Sequence, residues 1–352
     1  MMYIIGRYKY VLLAVGCLLL TACSSSSDDA GDTRTSSPLQ VVPYTSSYHE
    51  NNGGMRAVTV PGGYSSYTPD FNVSIGLFPI QTHPTPVVEP ATAKVISYSN
   101  GIWHTQVVVE TNFNYTIYGY MPMRAPVTGA VSYTNKTLTL SHVGAVTADD
   151  ICFVAGVKEG KSTDNVNLEE GVFDYTGKGD ENYVCLLMDH LYAAIRFHFS
   201  INADYATLRT IKLKSMTLKS NYESVTATVD LSGVPAVVTY TPITGTTPSA
   251  ATFFEHREGL DISNPSAVET IKGYTCCFSL VNSQNLTLVS TYDVYDRKGN
   301  LIRQDCTSTN TLPSLENLEA KRGDLLTLNL NVNPTYLYQL SDQDLDNLIN
   351  IQ

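Results

Sequence analysis

The chain has 352 residues with 22 Lys and Arg against 33 Asp and Glu, a formal net charge of −11, which argues against nucleic acid as a partner. A hydrophobic share of 43%, a charged share of 16% and 23 tyrosines exclude a disordered chain and describe a folded, β-rich extracellular protein. The length suffices for two domains, each with its own core, and no internal repeat is visible.

Residues 1–22 carry Arg7 and Lys9, then an apolar run over 11–20 that is too short to span a bilayer and ends in small residues, the pattern of a secretory signal. Leu20-Thr21-Ala22-Cys23 resembles the bacterial lipobox. That resemblance implies that Cys23 is acylated through its sulfur and becomes the first mature residue, tethered to a membrane by at least two chains. An ordinary signal with an incidental cysteine is the alternative. Removing the signal takes away two of the 22 basic residues and no acidic one, so the charge becomes 20 − 33 = −13. Residues 24–32, serines and aspartates with Ala30 and Gly31, read as a flexible leash. Acidic residues just after a lipidated cysteine resemble the surface-export signal of lipoproteins from some Gram-negative anaerobes, which implies display on the outer membrane.

The apolar run Leu39-Gln40-Val41-Val42-Pro43-Tyr44 is expected to pair as an edge strand that Pro43 ends. A loop over 45–54 follows, and Met55-Arg56-Ala57-Val58-Thr59-Val60 restarts the strand pattern. A basic residue just after a flexible, glycine-containing loop offers backbone to a trypsin-like protease. From residue 71 short alternating stretches recur every 8–15 positions, including 114–122 and 132–142, as in a sandwich or barrel. Residues 157–182, polar and charged, read as an exposed loop.

Over 188–201 Leu191, Ala193, Ile195, Phe197, Phe199 and Ile201 alternate with Tyr192, Ala194, Arg196, His198 and Ser200, a strand with one buried face that opens the second half. Ile211 and Leu213 are in phase with each other, but Met216 and Leu218 fall one residue out, which predicts a β-bulge near Ser215. Strands at 286–295 and 300–305 are expected to pair across Asp296-Arg297-Lys298-Gly299. Residues 314–321 read as one or two helical turns, and Leu326, Leu328, Leu330 and Val332 as a last strand before Pro334.

Cys152, Cys185, Cys276, Cys277 and Cys306 match no zinc or redox spacing and read as small buried hydrophobes, with one disulfide between Cys306 and a member of the vicinal pair as the alternative. His190 and His198, taken as one strand face, lie about 26 Å apart at roughly 3.3 Å per residue, too far to share a metal, and read as polar outer-face residues. Asp342, Asp344 and Asp346 lack the glycine and the terminal glutamate of a calcium loop, and Ser341 with Asp344 reads as a capping box. No nucleophile elbow, zincin helix or phosphate loop is present, so neither enzymatic activity nor a cofactor or metal is expected. Trp103 reads as a core or half-buried residue, with a sugar-stacking platform as the alternative.

Several stretches together resemble the fimbrillin family, the lipoprotein subunits of type V pili. They are the lipobox at Cys23, the Arg56 junction, Tyr115-Thr116-Ile117-Tyr118-Gly119-Tyr120-Met121-Pro122, Asp149-Asp150-Ile151, His190-Leu191-Tyr192-Ala193-Ala194-Ile195-Arg196-Phe197 and Asn333-Pro334-Thr335-Tyr336-Leu337-Tyr338 with Leu340-Ser341-Asp342. The resemblance implies an all-β fold of two tandem transthyretin-like β-sandwich domains. The expected division is signal 1–22, leash and removable strand 23–56, N-terminal sandwich 57–187, and C-terminal sandwich with tail 188–352. It also implies cleavage by an arginine-specific protease, here between Arg56 and Ala57, which sheds the lipid at Cys23 and opens a groove for a neighbour's strand. Arg34 is the competing cut. Tyr336, Tyr338 and Leu340, on one side of the tail, are the donor-strand candidates, shorter than a long donor. The implied partners are other fimbrial subunits, the outer membrane through the precursor's lipid, and a host or bacterial surface ligand. Stalk, tip and anchor roles stay open, as does the rival reading of a lipid-anchored surface protein that binds a glycan or host ligand and never polymerises.

Overall fold

The computed structural model describes residues 35–50, 64–69, 72–86, 92–161, 169–179, 181–264, 269–270, 275–277, 286–311 and 321–332. Among these the chain is all-β apart from one helical turn, Ala203–Ala206, capped by Asn202, whose side chain accepts from the backbone N–H groups of Asp204 and Tyr205. All described residues belong to one unit, Thr35–Gln352. No helix among them is long and apolar enough to cross a membrane.

The largest sheet carries, in spatial order, Ser65–Ser66, Gln40–Thr45, Tyr183–His190, Cys152–Glu159, Asn114–Met121, Ser74–His83, Lys94–Ser99 and Ile102–Thr105, with Asp174–Thr176 added beside Asn114–Met121. Period-two alternation divides its side chains between two cores. Ile75, Leu77, Ile117, Met121 and Val154 enter one, with Val184, Leu186 and Met188. Phe78, Ile80, Tyr118, Tyr120 and Phe153 enter the other.

That second core is closed by a four-stranded sheet of Thr128–Ser132, Thr137–Val143, Ser224–Asp230 and Val237–Ile243, which supplies Leu138, Leu140, Ala227 and Val229. Strands from either side of residue 187 thus share a sheet and a core. A third core gathers Ile195, Phe197, Leu213, Met216, Leu218, Leu288 and Leu326. They come from the strands Ala193–Ile201, Thr210–Ser220, Leu286–Tyr295 and Asp324–Val332.

The out-of-phase run at 211–218 is resolved as expected: pairing shifts register between Leu213 and Ser215 towards both neighbouring strands, so Ile211, Leu213, Met216 and Leu218 are all buried. The 286–305 hairpin also forms, with Gly299 at φ 84° in its turn.

The stretch read as an exposed loop at 157–182 differs. Asp174–Thr176 is a strand paired with Asn114–Thr116, and Phe173 and Tyr175 are buried. Two aromatics one residue apart outweigh the surrounding charges, because burying them removes more apolar surface from water than a solvated loop would.

Candidate functional site

The chain's first described residues form a two-part ribbon. Ser36–Pro38 pairs antiparallel with Val108–Glu110. Gln40–Thr45 then pairs in parallel with Tyr183–His190 over its full length, from Gln40 opposite Tyr183 to Thr45 opposite Met188. On its other side, among the described residues, Tyr44 and Thr45 pair with Ser66 and Ser65. It is therefore nearly an edge strand, as the sequence suggests.

Pro43 does not end the strand. Its register decides why. The Gln40 and Ser46 N–H groups donate to the carbonyls of Asn182 and Met188 on the Tyr183–His190 side, at 2.7 and 3.1 Å. In a parallel ladder alternate residues bond to opposite sides, so even positions face that strand and odd positions face away. Pro43, an odd position, presents its N–H-less nitrogen to the sparsely paired side, while its carbonyl accepts from Tyr67 N–H at 2.9 Å.

Both faces of the ribbon are covered, as parallel pairing requires. Leu39 and Val41 join the core that holds Val184, Leu186 and Met188. Tyr44 packs with Cys185 and Leu187 on the opposite face, flanked by Val42 and Tyr64.

Asn182 fastens the start of this ribbon. It is 1% exposed, and all four hydrogen-bonding positions of its side-chain amide are used. Its Oδ1 accepts from the Tyr175 hydroxyl at 2.8 Å and the Lys178 N–H at 2.7 Å. Its Nδ2 donates to the Ser37 hydroxyl oxygen and the Gly179 carbonyl, each at 2.6 Å. Burial pushes the Tyr175 phenol up to about 12, so it stays a neutral donor. Gly177 lets the loop beneath come this close: a Cβ there would lie 2.0 Å from the Glu110 carbonyl oxygen.

Beyond the ribbon, residues 46–50 form a strap across the end of Tyr183–His190. The Ser46 hydroxyl donates to Asp189 at 2.9 Å, and Arg322 forms an ion pair with the same carboxylate. His190 lies between the Ser46 carbonyl, 2.8 Å from Nε2, and the Asp150 carboxylate, 2.9 Å from Nδ1. Because both partners are acceptors, the ring donates from Nε2 to Ser46 and one proton lies between Nδ1 and Asp150. Burial pulls the imidazole towards its neutral form, but the hydrogen bond and charge of Asp150, with Asp189 and the Ser46 carbonyl, outweigh it and raise its pKa above the ordinary value. Tyr48 stacks on the ring with centroids 3.7 Å apart and donates its hydroxyl to Asp150 at 2.7 Å. His49 and Glu50 then pair in parallel with Asp324 and Leu325.

Expectation and structure part at His190. It is 2% exposed and ends one strand, whereas His198 lies in the next, so the two do not share a strand face. Cys152 and Cys185 are buried thiols and Cys306 is a half-buried one. Trp103 is half-buried, tilted against Tyr98 at 5.1 Å between ring centroids. Cys23, Arg34, Arg56, Ala57, Tyr336, Tyr338, Leu340 and the Asp342, Asp344 and Asp346 cluster all lie outside the described residues.

The strand that receives the ribbon was hidden from alternation because Val184-Cys185-Leu186-Leu187-Met188 is apolar at every position. An apolar run of that length between Asn182 and Asp189 is the signal of a doubly buried strand. Nothing in the spacing of Asp150, Cys152 and His190 announces that they meet, since the antiparallel pairing of Cys152–Glu159 with Tyr183–His190 brings Cys152 opposite His190, 38 residues on.

No protein-family model matches the chain, and no curated protein matches it. Solved structures similar to it include a fimbrial protein from Bacteroides vulgatus, 10% identical, TM-score 0.46, over 86% of this chain and 96% of that one. A candidate cell adhesion protein from Bacteroides uniformis is 10% identical with TM-score 0.41, over 87% and 95%. Another from Bacteroides ovatus is 14% identical with TM-score 0.41, over 84% and 92%.

Proposed function

We propose that this chain is a structural or accessory subunit of surface fimbriae, secreted as a lipoprotein precursor, matured by cleavage between Arg56 and Ala57, and assembled by donor-strand exchange in support of adhesion. The observation that carries this reading is the ribbon itself. Everything from the lipid-bearing Cys23 to Arg56 would leave in one cut, and with it the strand that covers Tyr183–His190. The same cut would bare the outer side of Asp324–Val332, where His49 and Glu50 now pair.

Magnitudes favour replacement over a bare edge. Leu39 and Val41, at 0% and 5% exposure, together contribute about 3–6 kcal/mol by burial alone. That is a large part of a net folding stability of roughly 5–15 kcal/mol. A strand from a neighbouring subunit would restore the ladder and fill the vacated core. The tail with Tyr336, Tyr338 and Leu340 is the donor candidate. Before the cut, the lipid holds the precursor at the outer membrane.

Treating the folded chain with a trypsin-like protease, followed by N-terminal sequencing and size measurement, tests the reading. The expected result is a new N-terminus at Ala57 with growth of oligomers. Arg56→Ala abolishes both and Arg34→Ala neither. A cut chain that sheds its ribbon and stays monomeric at every concentration overturns it.

A further inference from the structure

We propose that Asp150, Cys152 and His190 form a zinc site beneath the strap. Their ligand atoms already stand close to the edges of a coordination tetrahedron. Cys152 Sγ lies 3.7 Å from His190 Nδ1 and 3.6 Å from an Asp150 carboxylate oxygen, and that oxygen lies 2.9 Å from Nδ1. Around a tetrahedral Zn²⁺ the sulfur-to-nitrogen and sulfur-to-oxygen edges are about 3.6 Å and the nitrogen-to-oxygen edge about 3.3 Å. Only the short edge must open, by a few tenths of an ångström, and that is the edge a proton now bridges.

The chemistry of the set agrees with its geometry. A thiolate, an imidazole and a carboxylate together suit a borderline-soft ion rather than calcium or magnesium, which take oxygen ligands. Two negative ligands and one neutral one cancel the charge of Zn²⁺, as a site with Cys152 and His190 almost fully buried requires. Binding breaks the S–H bond of Cys152 and displaces the proton between His190 and Asp150. It forms Zn–S, Zn–N and Zn–O bonds and releases two protons to solvent. Three protein ligands leave the fourth position to water.

The outer contacts are those a zinc-bound histidine uses. His190 gives its Nε2–H to the Ser46 carbonyl, which holds the ring with Nδ1 turned to the other two ligands, and the Tyr48 hydroxyl donates to Asp150. Because Ser46 and Tyr48 belong to the strap, the ion would tighten the segment just before Arg56. That last consequence rests on the proposed maturation; the binding itself does not.

Cobalt titration of the purified, uncut chain reads the site directly. One Co²⁺ per chain should bind with a thiolate-to-metal charge-transfer band that Zn²⁺ displaces. Cys152→Ser should remove the band, Asp150→Asn should weaken binding by about tenfold or more, and Cys185→Ser should change neither. Asp150 is partly exposed, so Asp150→Asn carries the test if Cys152→Ser does not fold. No band in the unaltered chain, a band that persists in Cys152→Ser, or undiminished affinity in Asp150→Asn would each overturn the proposal. None of these readouts requires protease, so loss of the site and failure of maturation at Arg56 are told apart.

Discussion

The Asn182 side-chain amide donates to the Ser37 hydroxyl oxygen at 2.6 Å, joining residues 145 apart in the chain. The ribbon is thereby locked at its first strand by a residue that lies just before the strand receiving its second.

Replacing Asn182 with alanine should strand the Tyr175 hydroxyl and the Lys178 N–H without acceptors in a buried setting. The expected loss is about 1–3 kcal/mol in chemical denaturation. Amide exchange should accelerate first over residues 40–45. Exchange that rises evenly across every strand instead would show that Asn182 does not act through the ribbon.

Alkaline pH should loosen the same anchor. Burial raises the Tyr175 phenol to about 12 in the folded chain, against about 10 when unfolded. Its contribution is fully present below pH about 10 and is lost as pH rises towards 12, because the unfolded chain releases the proton more readily. Tyr175→Phe should flatten part of the alkaline fall in melting temperature. The share due to Tyr118, also raised to about 12 by burial and by the nearby Tyr133 and Asp174, should remain.

Gly177→Ala should lower stability by about 1–3 kcal/mol, since the new Cβ would meet the Glu110 carbonyl and both sides are backbone. Gly233→Ala, whose Cβ meets nothing within 4 Å, provides the comparison and should melt close to the unaltered chain.

Leu39→Ala separates the two forms of the molecule. In the uncut chain it should cost about 2–5 kcal/mol, because Leu39 is fully buried. After cleavage at Arg56 the residue is gone with the ribbon, so the proposed maturation implies equal stability for the cut forms of both chains. A difference that survives cleavage, measured by denaturation of the cut proteins, would mean that the ribbon stays bound.

Much of the architecture is legible in period-two alternation. It locates the strand at 324–332 through Leu326 and Leu328, and the phase slip at 213–216 announces the bulge. The ribbon is legible as a pairing segment but its partner is not, since Tyr183–His190 is apolar on both faces and has no alternation to read. Pro43 misleads because the ban on proline within strands applies to one side of a residue, and only the register shows which. His190 misleads because the chain turns at Leu191 and Tyr192, so an apparently continuous strand is two. The Asp150, Cys152 and His190 cluster depends on the antiparallel pairing of Cys152–Glu159 with Tyr183–His190, which sets Cys152 opposite His190 and has no signal in the spacing.

The parallel pairing of Gln40–Thr45 with Tyr183–His190 also orders events in time. The ribbon leaves the ribosome well before the strand it needs, and closing so long a loop is an entropic burden that local hairpins such as 286–305 do not carry. The rest of the large sheet can assemble while that seam is vacant. While the chain folds there is thus an interval in which the seam beside Tyr183–His190 stands open to any strand within reach.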